Sequence, residues 1–521
     1  MQLLMSRFRR AFHGVVSSYV LLAATAVYSL ASIPVALHYL DKERFGLWAL
    51  MGTLTAYLTL MDAGMTGAAA RLLIDHKDDR RGGHYGSLIK TGWLISLTQA
   101  AIIFLTGLLL ARHFALWLAI PTALQTEFIQ LVNWQCGVLA LSFAARMFNL
   151  ILGAHQRMDW SNYIGATSLL LNFAAQWVLF HFGFGLLSLM GGSLVATVLA
   201  VIAQAVACQR LQLFPQPGGW GRVSWQHFQE LFNYGKKAFL VGVGTQLILA
   251  SQIIVITRFL GLEAAAVWSV GLRMFNLISQ IGWRISDMSQ AALAEMMARG
   301  ELPRLRDRYR SLAILKFSFT GWLAVSFALC NSLFITLWTH GKIMWPSGND
   351  VLLALWMIIT AVVHCHNSFV SLTKDFHFMP YVYFLEGAVF VALSCLVARW
   401  GGLAAIIGCS VVCSAVFTGA YGVRRVSRYF QVSISEVAWG WFQPMTRMLL
   451  FYLPVATLVW WLTVSVSEII RLGILAGLAG SAGVYFFLRY GIPPAFQNEL
   501  LSRIPAKAVP FFKRVFLQTA N

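Results

Sequence analysis

The chain has 521 residues, of which 58 % are hydrophobic and 11 % are charged, whereas roughly 25 % of residues are charged in ordinary globular proteins. A mean hydropathy of +0.68 excludes a water-soluble protein, because so apolar a chain could not cover its surface with polar groups. The net charge of +19 comes from basic residues that stand between apolar runs, which indicates contact with an anionic membrane face and no nucleic-acid partner. The apolar runs are too long for barrel strands, so the sequence predicts an all-α polytopic membrane protein.

Runs of about twenty apolar residues predict fourteen membrane-spanning helices, called spans 1–14 below. They cover residues 14–38, 45–70, 90–111, 127–152, 161–182, 185–208, 237–259, 264–292, 312–338, 351–373, 379–398, 401–422, 446–464 and 469–488. The predicted organisation is an N-lobe (1–208), a cytoplasmic linker (209–236), a C-lobe (237–430) and a C-terminal part (431–521) with spans 13 and 14 and a basic tail. The linker has apolar residues at helical spacing, which predicts an amphipathic helix on the inner membrane surface; an ordinary linker is the alternative.

The distribution of Lys and Arg indicates the orientation of the spans. With the N-terminus in the cytoplasm, 29 of the 39 Lys and Arg residues fall in or beside cytoplasmic gaps and 7 on the opposite side. Cytoplasmic loops of membrane proteins carry this kind of excess. We therefore predict that both termini are cytoplasmic.

Two parts of the chain resemble each other. The segment LDKERFGLW (40–48) is similar to LGLEAAAVW (260–268), and TGW at 91–93 recurs at 320–322. These matches align spans 1–6 with spans 7–12, and both copies point the same way because six is an even number. The sequence therefore predicts two pseudo-symmetric six-helix lobes around a central cavity, as in transporters whose lobes rock about a central site. Chance similarity between apolar helices is the alternative.

Polar residues within the spans predict the binding site. Span 8 carries Arg273, Asn276, Gln280, Arg284 and Asp287 on one helix face, span 2 carries Asp62 on a face with Thr55, Thr59 and Thr66, and span 4 carries Arg146. A charge at the bilayer centre costs roughly 2.5–3.5 kcal/mol, so such residues usually face a bundle interior or a wet cavity. Because the arginine fork suits phosphate or pyrophosphate, we predict a hydrated, cationic lumen that takes an anionic substrate from the cytoplasm. Arg284 and Asp287 could also partly neutralise each other.

Other polar residues in the spans are candidates for ion or metal sites. Glu386 in span 11 is a candidate for coupling to a proton or another cation, and the alternative is a side chain that extends to the interface. His364 and His366 point to different faces of span 10, so they predict lumen-facing or packed histidines and no metal site. The sequence contains no nucleotide-binding fingerprint and no nucleophile triad, so neither a cofactor nor an enzyme activity is predicted.

Several segments resemble bacterial polysaccharide flippases. These segments are FGLW (45–48), YLTLMDAGM (57–65), the stretch 228–239 before span 7 and the turn 259–268 before span 8. They are similar to the Wzx-type O-antigen and exopolysaccharide transporters of the multidrug/oligosaccharidyl-lipid/polysaccharide (MOP) exporter superfamily. The resemblance implies a protein of the bacterial cytoplasmic membrane that flips undecaprenyl-diphosphate-linked oligosaccharide by alternating access through a cationic cavity. Polysaccharide polymerase or assembly proteins would be its partners.

The sequence differs from many members of the family at one position in span 7, and three other functions are alternatives to a flippase. Many relatives carry an acidic residue in span 7 where this chain has Ser251 and Gln252, which puts ion coupling through that helix in doubt. A multidrug cation extruder of the same superfamily would favour an acidic, aromatic-lined cavity. A polysaccharide polymerase or ligase would display a large external loop, and a scaffold role in polysaccharide assembly would be separated only by a transport assay.

Overall fold

The computed structural model describes the backbone of residues 2–373, 375, 378–503, 509–510 and 516. Side chains are described at these positions except 2–15, 234, 236–238, 291, 500 and 503. Within this part of the chain the regular structure is helical and contains no strand. The α-helices are α1 (Gln2–Tyr39), α2 (Lys42–Leu58), α3 (Met65–His76), α4 (His84–Trp117), α5 (Thr122–Ala154), α6 (Met158–His181), α7 (Leu187–Arg210), α8 (Trp225–Leu249), α9 (Ser251–Leu260), α10 (Leu262–Ala298), α11 (Leu302–Trp338), α12 (Gly348–Leu372), α13 (Met379–Ser414), α14 (Ala420–Phe430), α15 (Gln443–Leu462), α16 (Glu468–Ile474), α17 (Gly480–Phe486) and α18 (Pro494–Arg503).

The helices confirm the predicted multi-pass, all-α fold. Among the described residues, 11 helical segments are long and apolar enough to cross a membrane. One of them, Met379–Phe430, is 52 residues long and contains both span 11 and span 12, which a kink at Gly402 separates. Spans 2 and 8 are also helical but fall outside the eleven, since α2 has only 17 residues and α10 carries the polar stripe. All fourteen predicted spans are therefore helical.

Three helix boundaries differ from the sequence-based prediction. Span 2 is not continuous, because α2 ends in the 3₁₀ turn Thr59–Asp62 and the chain then passes through left-handed conformations at Ala63 and Gly64 before α3 begins. The predicted amphipathic linker helix is the first part of α8, which runs on without a break into span 7. Span 7 is itself interrupted at Ala250 between α8 and α9. Local apolar periodicity does not reveal such breaks, because the residues on both sides still have helical patterns.

The chain forms two compact units, residues 1–266 and 267–521. The first unit packs α3, α4, α5 and α7 around a core with Tyr85, Ile89 and Met147. The second packs α11, α12, α14 and α15 around a core that includes Tyr309 and Phe317. The boundary between the units falls inside α10, whereas the sequence-based lobes divide at residues 236 and 237; the lobes remain a prediction.

Loops that the sequence assigns to the same membrane side contact one another within the first unit. Arg81 in the loop after α3 donates to the Gln216 side chain in the loop after α7 at 2.6 Å, and Lys90 near the start of α4 donates to the carbonyl of Gly221 in that loop at 3.0 Å. Arg44 in the first turn of α2 forms an ion pair of 2.8 Å with Glu127 near the start of α5. Within the first unit, two gaps predicted to be cytoplasmic thus contact each other, and so do two gaps predicted to be external.

Candidate functional site

The polar stripe of α10 lies largely at the surface of the second unit. Asn276, Gln280, Arg284 and Asp287 are exposed, and Arg273 is partly buried. An exposed row of amide and charged groups is costly against hydrocarbon, because lipid offers these groups no hydrogen-bond partners. This face of α10 therefore requires water or a polar ligand beside it.

A buried lysine extends this site into the protein. Lys316 in α11 is 0 % exposed, and its Nζ lies 2.7 Å from Ser286 Oγ and 3.0 Å from His364 Nδ1. On the other side of the imidazole, Nε2 lies 3.5 Å from an Asp287 carboxylate oxygen. The indole of Trp283 stacks on the His364 ring with 4.8 Å between centroids. Asp287, His364 and Lys316 therefore form a continuous polar line from the surface of α10 into the unit.

Sequence reasoning missed Lys316 and the role of His364. The distribution of Lys and Arg groups Lys316, at the start of span 9, with the basic residues of the preceding cytoplasmic gap, whereas the structure places it well inside α11, which begins at Leu302. The available signal was the apolar run that continues directly on both sides of this lysine. His364 was predicted to be lumen-facing or packed, and with its side chain 24 % exposed it is mostly packed.

Arg146 and Asp62 meet within the first unit. Arg146 in α5 forms an ion pair with Asp62, donates from Nε to Ser96 at 2.9 Å and hydrogen-bonds to Gln99. Its guanidinium also lies 4.9 Å from the centroid of the Phe143 ring. The side chains of Arg146 and Asp62 are 15 % and 21 % exposed, so most of the arginine's hydrogen-bonding capacity is already used by the protein.

The break between α2 and α3 positions Asp62. The 3₁₀ turn ends at Asp62, whose carboxylate accepts hydrogen bonds from the backbone N–H of Thr66 at 3.2 Å and from its hydroxyl at 2.5 Å. Gly64 allows the turn because its φ of 73° is left-handed and because Gly235 of α8 lies directly against it. The hydroxyls of Thr55 and Thr59 donate to backbone carbonyls of α2.

Glu386 is buried rather than extended to the interface. Its side chain in α13 is 1 % exposed and accepts hydrogen bonds from Ser414 Oγ at 2.9 Å and from the Thr418 backbone N–H at 3.1 Å. Thr418 belongs to the π-helical turn Ala415–Gly419, and such turns are frequent at functional sites. Among the described residues, no group of three or more His, Cys, Asp or Glu side chains could hold a metal ion.

A comparison with known protein families identifies the family of this chain. Residues 37–339 match a family described as polysaccharide biosynthesis protein. The chain belongs to this family. The match covers α2 to α11, which contain Asp62, Arg146 and the whole α10 stripe. No curated protein sequence matches the chain.

Solved structures with a similar fold are transporters. An inward-facing multidrug-resistance MATE family transporter of the MOP superfamily is 13 % identical, with a TM-score of 0.65 over 80 % of this chain and 99 % of that one. The lipid II flippase MurJ in an inward closed conformation is 13 % identical, with a TM-score of 0.66 over 95 % and 100 %. A MOP superfamily transporter from Pyrococcus furiosus is 13 % identical, with a TM-score of 0.54 over 81 % and 96 %. The fold is therefore one that this chain shares with membrane transporters, and the predicted resemblance to MOP flippases is confirmed.

Proposed function

We propose that the protein flips an undecaprenyl-diphosphate-linked oligosaccharide across the bacterial cytoplasmic membrane for O-antigen or exopolysaccharide synthesis. The observation that carries this proposal is the exposed stripe of α10, in which Arg284 lies on the same face as Asn276 and Gln280. A guanidinium suits the diphosphate, and amides suit sugar hydroxyls. The polysaccharide biosynthesis family supports the same class of substrate.

The candidate residues take different parts in this proposal. Arg273 and Arg284 would hold the diphosphate, with Asn276 and Gln280 against the sugars and Asp287 shaping the local field. Asp62 and Arg146 already bind each other, so Arg146 would reach the substrate only in a state in which this pair opens. Glu386 would bind a coupling cation, supported by its burial among hydroxyl and backbone groups.

The proposal also includes the membrane in which the protein lies and its orientation there. The excess of Lys and Arg in one set of gaps supports an inner-membrane protein with both termini in the cytoplasm. The lipid-linked oligosaccharide would be received from cytoplasmic enzymes and passed to polymerase or assembly proteins on the other side.

A flipping assay tests the proposal. The full chain is reconstituted in vesicles with a fluorescent undecaprenyl-diphosphate-linked oligosaccharide, and its appearance in the outer leaflet is measured with an impermeant quencher. We expect rapid flipping by the wild type and a loss of flipping in R273A and R284A. The matched control is R112A, since Arg112 is exposed outside the stripe and should leave flipping unchanged.

A second measurement separates the rival transporter. The same vesicles are loaded with a lipophilic organic cation, and its efflux is followed. Cation efflux without flipping would replace our proposal by a multidrug extruder. Flipping that survives in both arginine variants would remove the proposed role of the α10 stripe.

A further inference from the structure

The line Lys316–His364–Asp287 contains the donors and acceptors of a proton relay. A lysine ammonium only donates hydrogen bonds, so the contact of 3.0 Å from Lys316 Nζ to His364 Nδ1 makes Nδ1 an acceptor. The imidazole proton of a neutral His364 then sits on Nε2, which faces Asp287 at 3.5 Å. Each donor in the line therefore lies within 3.5 Å of an acceptor.

The two ends of the line differ in their access to water. Lys316 is fully buried, whereas the Asp287 side chain is 39 % exposed on the polar face of α10. A buried ammonium is costly unless it is paired and hydrogen-bonded. Here the carboxylate of Asp287 is reached through an imidazole, so a proton on the lysine is stabilised indirectly and can leave by the same route.

We infer that Lys316, His364 and Asp287 form a proton-binding relay that loads and releases one proton between the protein interior and the polar face of α10. In release, the Nζ–H bond of Lys316 breaks as a proton passes to His364 Nδ1, while the Nε2 proton of His364 passes to Asp287. The lysine becomes a neutral amine, the imidazole stays neutral with its proton on the other nitrogen, and Asp287 becomes a carboxylic acid. Asp287 then gives the proton to water.

Other titratable groups surround the relay. Arg284 on α10 interacts electrostatically with Asp287, and Cys365 and His366 on α12 interact with Lys316. The Tyr309 hydroxyl on α11 lies 2.8 Å from His366 Nδ1, so the phenol and the His366 imidazole hydrogen-bond to each other. Ser286 Oγ accepts a hydrogen bond from Lys316 and donates one to the backbone carbonyl of Trp283, which fixes the position of the ammonium.

The relay supplies a coupling ion for the transporter. α10 carries both Asp287 and the arginines proposed to bind the substrate, so a change of charge at Asp287 alters the field at that face directly. We extend the inference to proton-coupled flipping, and this extension rests on the proposed function. The first test below is independent of it.

The stacked Trp283 provides a direct probe of the relay. The full chain is labelled with 5-fluorotryptophan, and the ¹⁹F resonance of Trp283 is assigned as the one missing from W283F. We expect this resonance to shift between pH 4 and pH 10 and the shift to vanish in H364Q. K316M and D287N should move the midpoint of this pH titration in opposite directions, because they remove opposite charges from the two sides of the imidazole. The matched controls K42M and H113Q replace exposed residues and should leave the titration unchanged.

The second test measures coupling. Flipping of the fluorescent lipid-linked oligosaccharide is compared in vesicles with and without an imposed pH gradient. We expect a gradient-dependent rate in the wild type and in K42M and a loss of that dependence in H364Q, K316M and D287N.

The outcomes separate the two claims. A Trp283 resonance that does not titrate, or that titrates identically in K316M and D287N, would overturn the relay. A normal titration with flipping that ignores the gradient would overturn the coupling and keep the relay. A wild type that never flips the lipid would overturn the proposed function, while the ¹⁹F titration would still decide the relay.

Discussion

Arg146 in the C-terminal half of α5 binds the carboxylate of Asp62, which closes the turn between α2 and α3. The same carboxylate accepts from the first turn of α3, so the ion pair joins three helices. The pair thereby couples the position of the α2–α3 break to α5. A membrane-embedded ion pair of this kind has a direct consequence for stability.

Removing both partners should destabilise the protein by less than the sum of the two single removals. With side chains 15 % and 21 % exposed, we expect R146A and D62A each to lower the free energy of unfolding by about 2–3 kcal/mol, below the 3–5 kcal/mol of fully buried pairs. The double variant should show a coupling energy of about 1–2 kcal/mol. Unfolding in detergent micelles gives these values.

The control for this double-mutant cycle is the pair Arg299–Glu295, whose side chains are 63 % and 61 % exposed. R299A should change the free energy of unfolding by less than about 0.5 kcal/mol, because exposed ion pairs contribute little. Additive effects of R146A and D62A would show that the two side chains do not stabilise each other.

A methyl group at position 64 should disrupt the α2–α3 break. An added Cβ at Gly64 would lie 2.5 Å from the carbonyl oxygen of Gly235, and the φ of 73° is unfavourable for alanine. We expect G64A to lower the free energy of unfolding by at least about 2 kcal/mol. Gly67 in α3 has open space around it, so G67A should instead stabilise the helix by about 0.5–1 kcal/mol. Equal stability of the two variants would contradict the close approach.

Stability should fall in acid because of His155. Burial, together with the positive charges of Arg80 and Lys77, lowers the pKa of His155 to about 4, and its Nε2 lies 3.1 Å from the Tyr85 hydroxyl. Because the folded-state pKa lies below the unfolded value of about 6.5, the unfolded chain binds the proton first. The stability contributed by the neutral ring is present above about pH 6.5 and is lost as the pH falls to about 4.

The size of this effect is limited by partial exposure of the ring, which screens its charge, so we expect on the order of 1 kcal/mol. Thermal unfolding of the wild type and of H155Q at pH 7.5 and pH 4.5 measures it. H155Q should lose part of the acid sensitivity, whereas H113Q, at an exposed site, should retain all of it. Identical pH profiles for the wild type and H155Q would refute the assignment.

Reporter fusions test the orientation of the spans. Arg80 and Lys342 lie in connections between helices, and the distribution of basic residues predicts that they face opposite sides of the membrane. A reporter after Arg80 should signal the cytoplasm, and one after Lys342 should signal the outside. A third reporter after Arg157 should agree with Arg80, and same-side signals at Arg80 and Lys342 would overturn the predicted topology.

Long-range patterns in the sequence predicted more of the fold than of the site. All fourteen spans are helical, since a helix that satisfies its own backbone hydrogen bonds is the structure that an apolar run adopts in lipid. The breaks at Gly64 and Ala250 were not predicted, because they depend on which helix packs against the chain at that point. The aligned polar residues of α10 were predicted as one face, and four of the five are exposed.

The partners of the charged residues came only from the folded structure. Asp62 and Arg146 are 84 positions apart in the chain, and Lys316 and His364 are 48 apart, so no local spacing relates them. Composition and hydropathy determined by themselves that this chain is a helical membrane protein, because the cost of exposing apolar groups to water acts on each run independently. Tertiary packing decided which polar groups neutralise one another and which remain exposed, because hydrogen bonds and ion pairs act only at contact distance.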